Sequence, residues 1–321
     1  MKPLYISLKP FVDHHVLPRP VCWAQVFGND RPLDVEIGSG NGEYLARLSV
    51  ENPHVNYVGF EEYCERIQRT LRKINRAGVA NARILRMDVR PGFEFLFASK
   101  TIQAIHCLFP PPWPKKSDIK HRLFTPAFLR LANNRLREGG VLKIVTDHYP
   151  YAGWILDNVP GTGFDVRTAK VPARYDTKFE RKWAGDGQKE FYELVLTKKE
   201  HMDAVRKEGA VVQHYVMEHF DPDRFAMPDY SSGGIAVVCK GFLYDPKRKT
   251  AMIYVLVNEE HLLQNIRIVI IEGKGGWRVN LAQGTLFMPT AGVARALECV
   301  HQAALATAPF PNPPHKGGGN T

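Results

Sequence analysis

The 321-residue sequence predicts an α/β fold, a doubly wound sheet of seven strands with the last pair antiparallel, followed by a smaller α+β domain. Three observations carry this. Strand-like runs alternate with helical periodicity up to about residue 200. A glycine-rich turn follows the first of these strands directly. Beyond residue 200 the chain turns β-rich and closes on one amphipathic helix.

The elements follow in order. Leu33 to Ile37 reads as a buried strand, Gly38-Ser39-Gly40-Asn41-Gly42 as a tight turn and Glu43 to Val50 as a helix, which makes one βα unit. Asn56 to Phe60 and Ala82 to Met87 read as the next two strands, separated by an amphipathic helix from Tyr63 to Ala77. Ile102 to Leu108 is the fourth strand. A helix from Thr125 to Leu136, stopped by Gly139-Gly140, leads to a fifth from Val141 to Thr146. After a helix at Tyr151 to Asn158, Phe164 to Val171 and Glu190 to Leu196 have no helix between them and are expected to pair antiparallel. In the second segment a polar helical connector reaches about Arg206. Ile235 to Tyr244, Thr250 to Val257, Ile266 to Glu272 and Trp277 to Leu281 then read as strands, and Ala291 to Ala306 as a helix. The expected domains are an N-terminal extension over 1–29, the α/β domain over 30–200, the α+β domain over 201–307 and a disordered tail over 308–321, rich in proline and then glycine.

Composition narrows the function classes. Hydrophobic residues at 44% with 24% charged describe a folded globular chain rather than a disordered one. No apolar run is long enough to span a bilayer and no signal peptide is evident, so the expected address is cytoplasmic, with no membrane partner. Five cysteines lie far apart without a CxxC pair, which argues against a disulfide framework, a zinc site or a thiol nucleophile, and no metal is expected. The net charge of +10 is unevenly placed. Residues 1–200 hold 31 Lys and Arg against 22 Asp and Glu, whereas 201–321 hold 12 against 11. The first segment is therefore the one expected to meet a polyanion.

Within that segment, Asp34-Val35-Glu36-Ile37-Gly38-Ser39-Gly40-Asn41-Gly42 places glycines where the backbone turns at a strand's carboxyl end and where a ligand approaches closely. Glu61 ends the second strand, where a carboxylate accepts hydrogen bonds from ribose hydroxyls, and Asp88 follows the third, facing an adenine or capping a helix. Glu36, Glu61 and Asp88 thus converge on one crevice, with Gly38, Gly40 and Gly42 as its floor. An acidic residue beside the loop would repel a pyrophosphate and favours a cationic sulfonium ligand, so S-adenosyl-L-methionine is preferred to a dinucleotide.

After the fourth strand comes Phe109-Pro110-Pro111-Pro112-Trp113-Pro114-Lys115-Lys116-Ser117-Asp118-Ile119-Lys120-His121-Arg122-Leu123. This stretch resembles the F-P-D-P-W-P-K-K-R-H-x-K-R-R-L signature of bacterial tRNA (guanine-N7-)-methyltransferases, class I methyltransferases that use S-adenosylmethionine. Thr146-Asp147 resembles that family's T-D, and Thr177-Lys178-Phe179-Glu180 its T-K-F-E. The resemblance covers roughly residues 30 to 200. It implies the class I methyltransferase fold and methylation of the variable-loop guanosine of tRNA at N7. It also implies substrate contacts from Lys115, Asp147, Thr177, Lys178, Phe179 and Glu180. Lys116, Lys120 and Arg122 are suited to phosphate or guanine, and Trp113 is expected mainly in the core.

The loop also departs from the signature. Pro111 stands in place of the family's aspartate, Ser117-Asp118 in place of Arg-His, and His121 in place of an arginine. Guanine N7 is an unprotonated acceptor, so its attack on a sulfonium methyl needs no general base, and positioning supplies acceleration. Asp147 and Glu180 are the candidates for the missing carboxylate's role, with Asp118 as a substitute from the loop itself. Two alternatives stand beside this reading: a tRNA-binding homologue with impaired chemistry, which Pro111 favours, and an amino-group methyltransferase, suggested by a superficial likeness of the proline loop to a D/N-P-P-Y/W loop. The second is disfavoured because Pro110-Pro111-Pro112-Trp113 lacks the leading Asp or Asn of a D/N-P-P-Y/W loop. Arg66, Arg69, Arg72, Lys73 and Arg76 form one face of their helix, read as solvated, with tRNA contact the other reading. His14 and His15 precede the expected fold and receive no role. The near-neutral second domain is expected to be structural, dimerising or accessory, and the sequence does not define the oligomeric state.

Overall fold

The structure, a computed structural model, describes residues 5–188, 190–204 and 209–308. The chain divides into two compact units, Met1–Lys207 and Glu208–Thr321.

The first unit is an α/β layer structure. Its elements are β1 (Phe11–Val12), α1 (Trp23–Phe27), β2 (Leu33–Ile37), α2 (Glu43–Glu51), β3 (Asn56–Glu61), α3 (Cys64–Ala77), β4 (Ala82–Arg86) and α4 (Val89–Phe95). They continue with β5 (Ile102–Leu108), α5 (Pro126–Arg135), β6 (Leu136–Thr146), α6 (Tyr149–Asp157), β7 (Phe164–Pro172), α7 (Lys178–Gly185) and β8 (Glu190–Lys198). The sheet order is β1-β4-β3-β2-β5-β6-β8-β7. Strands β1 to β6 pair in parallel, and β8 runs antiparallel to both β6 and β7. Strand order reverses between β2 and β5. Ligand crevices of doubly wound sheets open at that switch point, beyond the strands' carboxyl ends.

Burial explains why these runs become strands. All five residues of β2 and all six of β3 are buried, as expected of strands covered on both faces. On one side Leu45 of α2 and Ile67, Leu71 and Ile74 of α3 pack on Tyr57 and Ile84. Gly42, at φ +75°, is where α2 meets α3: a Cβ there would lie 2.6 Å from the Thr70 side chain. That glycine serves packing as well as the turn.

Helix α7 lies between β7 and β8, where the sequence is read as having none, and the two strands still pair antiparallel across it. Three further features differ from the sequence expectation. The sheet has eight strands, because Phe11 and Val12, in the segment expected to precede the fold, pair with Ile84 and Leu85 at its edge. The same segment is tied down by Val21 N donating to Leu96 O and by the Arg83 guanidinium reaching Val26 O, so His14 is buried. Second, Asp88 caps an additional helix, α4, by accepting from Arg90 N at 2.7 Å. Third, β6 begins at Leu136, directly after α5, instead of at Val141, because Leu136, with no exposed surface, already occupies the sheet opposite Ile102. Residues 137–140 form an excursion between the Leu136 and Val141 pairings, with Gly139 at φ +67°.

The second unit is an antiparallel sheet of β9 (Tyr215–Met217), β10 (Asp229–Ser232), β11 (Ile235–Asp245), β12 (Thr250–Glu259), β13 (Leu262–Gly273) and β14 (Gly276–Leu281), with α8 (Ala291–Leu305) packed on one face. The strand order is β10-β11-β12-β13-β14-β9. The expected helical connector is irregular over residues 199–204, where the backbone is held by Asn133 and Asn134. Its last residues and the expected tail beyond residue 308 lie outside the described residues.

Candidate active site

A cavity of about 420 Å³ opens at the β2/β5 switch point. Its lining includes Glu36, Gly38, Gly40, Glu61 and Asp88 from the strand ends, Pro110, Pro111 and Trp113 from the proline loop, and Thr177, Lys178 and Phe179 from the start of α7. Segments far apart in sequence therefore meet in one crevice. Gly42 is not part of the lining.

Glu36 is the least satisfied of the acidic groups. It is 3% exposed, and its Oε2 is buried without a hydrogen-bond partner among the described residues. Burial, with the Glu43 and Glu61 carboxylates nearby, pushes its carboxyl up to about 8. A carboxylate so placed calls for a positive partner from the cavity. Glu61 is preorganised instead: one oxygen accepts from Gly40 N at 2.9 Å, and the other from Glu62 N at 2.9 Å and Tyr63 N at 3.1 Å. Oε2, with one accepted bond, keeps lone-pair capacity for a ligand hydroxyl. Asp88 both lines the wall and binds the Arg90 guanidinium, so the capping and lining roles coincide in one side chain.

The glycine loop is fixed from α3. Lys73 donates to Asn41 O at 3.0 Å and to Glu43 Oε1 at 2.6 Å, Arg69 donates to Asn41 Oδ1 at 3.1 Å, and Arg66 lies 3.6 Å from Glu61. Part of the cationic stripe read as a solvated face thus holds the cofactor loop in shape.

The proline loop leaves β5 through Phe109 at φ +56° and passes Trp113 at φ +44°, both in the left-handed region. Arg122 holds it. The residue is 6% exposed, its Nε donates to Pro112 O at 2.8 Å, and its guanidinium lies over the Tyr151 and Trp154 rings at 5.2 and 5.0 Å. Arg122 is therefore a strut of the loop and is not presented to phosphate. Trp113 also differs from expectation: it is 39% exposed, lines the cavity and lies beside His121 with ring centroids 5.3 Å apart. Lys115, Lys116 and Lys120 are exposed.

Of the remaining candidates, Asp147 is half-buried directly after β6, is not among the residues that line the cavity, and has its carboxyl pKa raised by burial. Glu180 is buried and turned to the backbone. Its carboxylate accepts from Arg174 N at 2.7 Å, from Tyr175 N at 3.0 Å and from Asp176 N. Thr177 Oγ1 in turn accepts Glu180 N at 3.2 Å. The T-K-F-E motif therefore presents its first three residues to the cavity and uses the fourth to lock the preceding turn. Asp118 accepts from the Ser117 hydroxyl and is not part of the lining.

Sequence reasoning missed Tyr44. Its ring lines the cavity from α2, while its hydroxyl lies 3.4 Å from His106 Nδ1, and His106 Nε2 lies 3.4 Å from Asp34. The parallel register sets Glu36 of β2 beside His106 of β5, so the sheet face beneath α2 carries a ladder of polar groups. The signal in sequence was a histidine within the otherwise apolar run 104–108 of β5.

This combination of sheet order, glycine turn and strand-end carboxylates defines a class I methyltransferase fold with a nucleoside-sized crevice. Comparison with known proteins carries the assignment further. Residues 30–193 match the model of a family described as putative methyltransferase. The chain is 37% identical over 183 residues to a tRNA (guanine-N(7)-)-methyltransferase of Chlorobium phaeobacteroides, covering 57% of this chain and 90% of that one. A Thermotoga maritima protein of the same name is 31% identical over 59% of this chain and 60% of its own. One from Aquifex aeolicus is 27% identical over 278 residues, 84% of this chain and 93% of that one, an alignment long enough to run into the second unit. The chain belongs to the tRNA (guanine-N7-)-methyltransferase family.

Proposed function

We propose that this chain transfers a methyl group from S-adenosylmethionine to N7 of a guanine in tRNA, in the cytosol, with the variable-loop guanosine as target. The observation that carries the reading is the meeting, in one crevice, of a buried carboxylate with one unpartnered oxygen and the Thr177-Lys178-Phe179 edge. The donor set fits the methyl donor. Glu36 offers an anionic oxygen to a cationic ligand, Glu61 Oε2 offers a lone pair to a ribose hydroxyl, and Gly38 and Gly40 leave the loop without side chains. When bound, S-adenosylmethionine supplies an electrophilic methyl group on a positively charged sulfur.

The chain's own residues then orient and desolvate. Guanine N7 brings its own lone pair, so no side chain has to remove a proton. Thr177, Lys178, Phe179 and Trp113 line the same cavity and are assigned here to the incoming base. Exposed Lys115, Lys116, Lys120 and Lys178 set positive charge beside it, suited to the tRNA backbone. With proline at position 111, the orienting carboxylate for the guanine N1 and N2 donors is assigned to Asp147. Glu180 acts through the 174–176 turn as a positioning residue.

The test is incubation of the purified chain with S-adenosylmethionine and an unmodified tRNA transcript, followed by nucleoside mass spectrometry. The expected product is 7-methylguanosine. A chain that binds the methyl donor and tRNA yet leaves the transcript unmodified would be a binding homologue, and an exocyclic N-methyl product would identify an amino-group enzyme.

A further inference from the structure

The second unit has one sheet face covered by α8, where Val293, Ala296, Leu297 and Val300 pack on Ile253, Val255, Ile268 and Val279. The alternate residues of the same strands form the other face. There the register aligns Arg267 with Tyr254 and Gly241, and Arg278 with Ile271. Between these two rows lies a third, Leu243, Met252 and Val269. Arg267 and Arg278 are exposed, Tyr254 is 44% exposed and Leu243 62%. Helix-free, this face mixes cations with an aromatic ring and aliphatic groups.

Net charge conceals how the unit's charges are sorted. Neither Arg267 nor Arg278 has a carboxylate partner among the described residues. The two carboxylates on the strands of this face are engaged by the chain itself. Asp229 accepts from Cys239 N at 2.9 Å, and Asp245 accepts from Lys247 N at 2.9 Å and Arg248 N at 3.2 Å within its own turn. The β11–β12 and β13–β14 hairpins lie at the same end of the sheet, where Glu272 N donates to Lys249 O, and they add Lys247 and Lys274. Glu259 belongs to the covered side, where it accepts from Gly292 N at the start of α8. A face with guanidinium groups that have no carboxylate partner, an exposed tyrosine and carboxylates turned to their own backbone is complementary to a polyanion that also presents stacking surfaces, which describes RNA.

We propose that this open face of the second unit is an auxiliary tRNA-binding surface, with Arg267 and Arg278 on phosphates and Tyr254 beside a sugar or base. The proposal takes tRNA as the substrate from the function proposed above. Near-neutral total charge is compatible with it, because the counterion-release contribution depends on the cations that reach phosphate rather than on the sum over the domain.

The experiment uses the full-length chain with Arg267→Ala and Arg278→Ala combined, and Arg267→Lys with Arg278→Lys as the charge-preserving control. The alanine pair raises the KM for tRNA by roughly tenfold near physiological salt, with kcat at saturating tRNA and S-adenosylmethionine affinity unchanged. The slope of log K for tRNA binding against log salt becomes shallower by about two. The lysine pair retains the wild-type slope, and an unchanged unfolding profile of the alanine pair shows that the sheet is intact. Wild-type KM and salt slope in the alanine pair overturn the proposal. A change in sedimentation with tRNA binding intact also overturns it, by making the face an interface between copies of the chain. Because binding is read separately from methylation, a wild-type chain that binds tRNA without forming 7-methylguanosine refutes the proposed reaction while leaving this surface testable.

Discussion

Glu36 is a buried acid in the crevice wall with one oxygen lacking a hydrogen-bond partner among the described residues, and its titration gives the first prediction. With a folded-state pKa raised to about 8 from an ordinary 4.5, the ligand-free chain holds a proton on Glu36 where the unfolded chain does not. The stability associated with that proton is fully present below about pH 4.5 and is lost as pH rises through about 8. Binding of a cationic ligand reverses the preference and expels the proton. Calorimetric titration of S-adenosylmethionine at pH 7 in buffers of different ionisation enthalpy should therefore show release approaching one proton. Glu36→Gln should abolish that release, weaken binding and flatten the dependence of Tm on pH in the free chain; release unaltered in the variant would assign the proton elsewhere. Pro111 supports a second prediction. Pro111→Asp returns a carboxylate to the cavity wall, where it can offset positive charge developing on the guanine ring. Single-turnover methyl transfer should rise by about ten- to a hundredfold, with little change in donor affinity. An equal or slower rate would mean that the rest of the loop has adapted to proline.

Whole elements convert such residues into a rigid site, and here the sequence was readable in some places and silent in others. The glycine turn, Glu61 and the T-K-F-E residues could be located because strand ends and a continuous motif mark their positions. The function of Arg122 could not, because an arginine in a lysine-rich loop looks like a phosphate ligand until Tyr151 and Trp154, far along the chain, are seen beneath its guanidinium. Glu180 was obscured in the same way, since its partners are backbone N–H groups of the turn before it. If Arg122 is a strut, Arg122→Ala should destabilise the first unit by about 2–3 kcal/mol in denaturant titration and raise the KM for tRNA, whereas a phosphate ligand would change KM and salt dependence alone. The N-terminal segment was likewise read as preceding the fold, because two residues of strand are too short for a periodicity argument. His14, buried there beside His15, has its pKa lowered to about 4 from 6.5. The unfolded chain then binds the extra proton, so this contribution is present above about pH 6.5 and is lost as pH falls through about 4. His14→Phe should remove that acid-side decline in Tm, and a decline that persists unchanged would place the titrating group elsewhere.

At the scale of the whole molecule, the uneven charge along the sequence corresponds to a division of labour between two separately cored units. The methyl-donor crevice is built entirely from residues of the first unit, and the core under α8 entirely from those of the second. A ligand that binds only one folded unit stabilises that unit by RT ln(1 + [L]/Kd), about 2.7 kcal/mol at a hundredfold excess over Kd, and leaves an independent unit where it was. Differential scanning calorimetry of the full chain should accordingly resolve two transitions. S-adenosylmethionine should raise the temperature of one, and tRNA should raise both if the open face of the second sheet meets RNA. A single transition moved as a whole by the methyl donor would show instead that the units unfold together. The second sheet would then have to be treated as part of the support for the crevice.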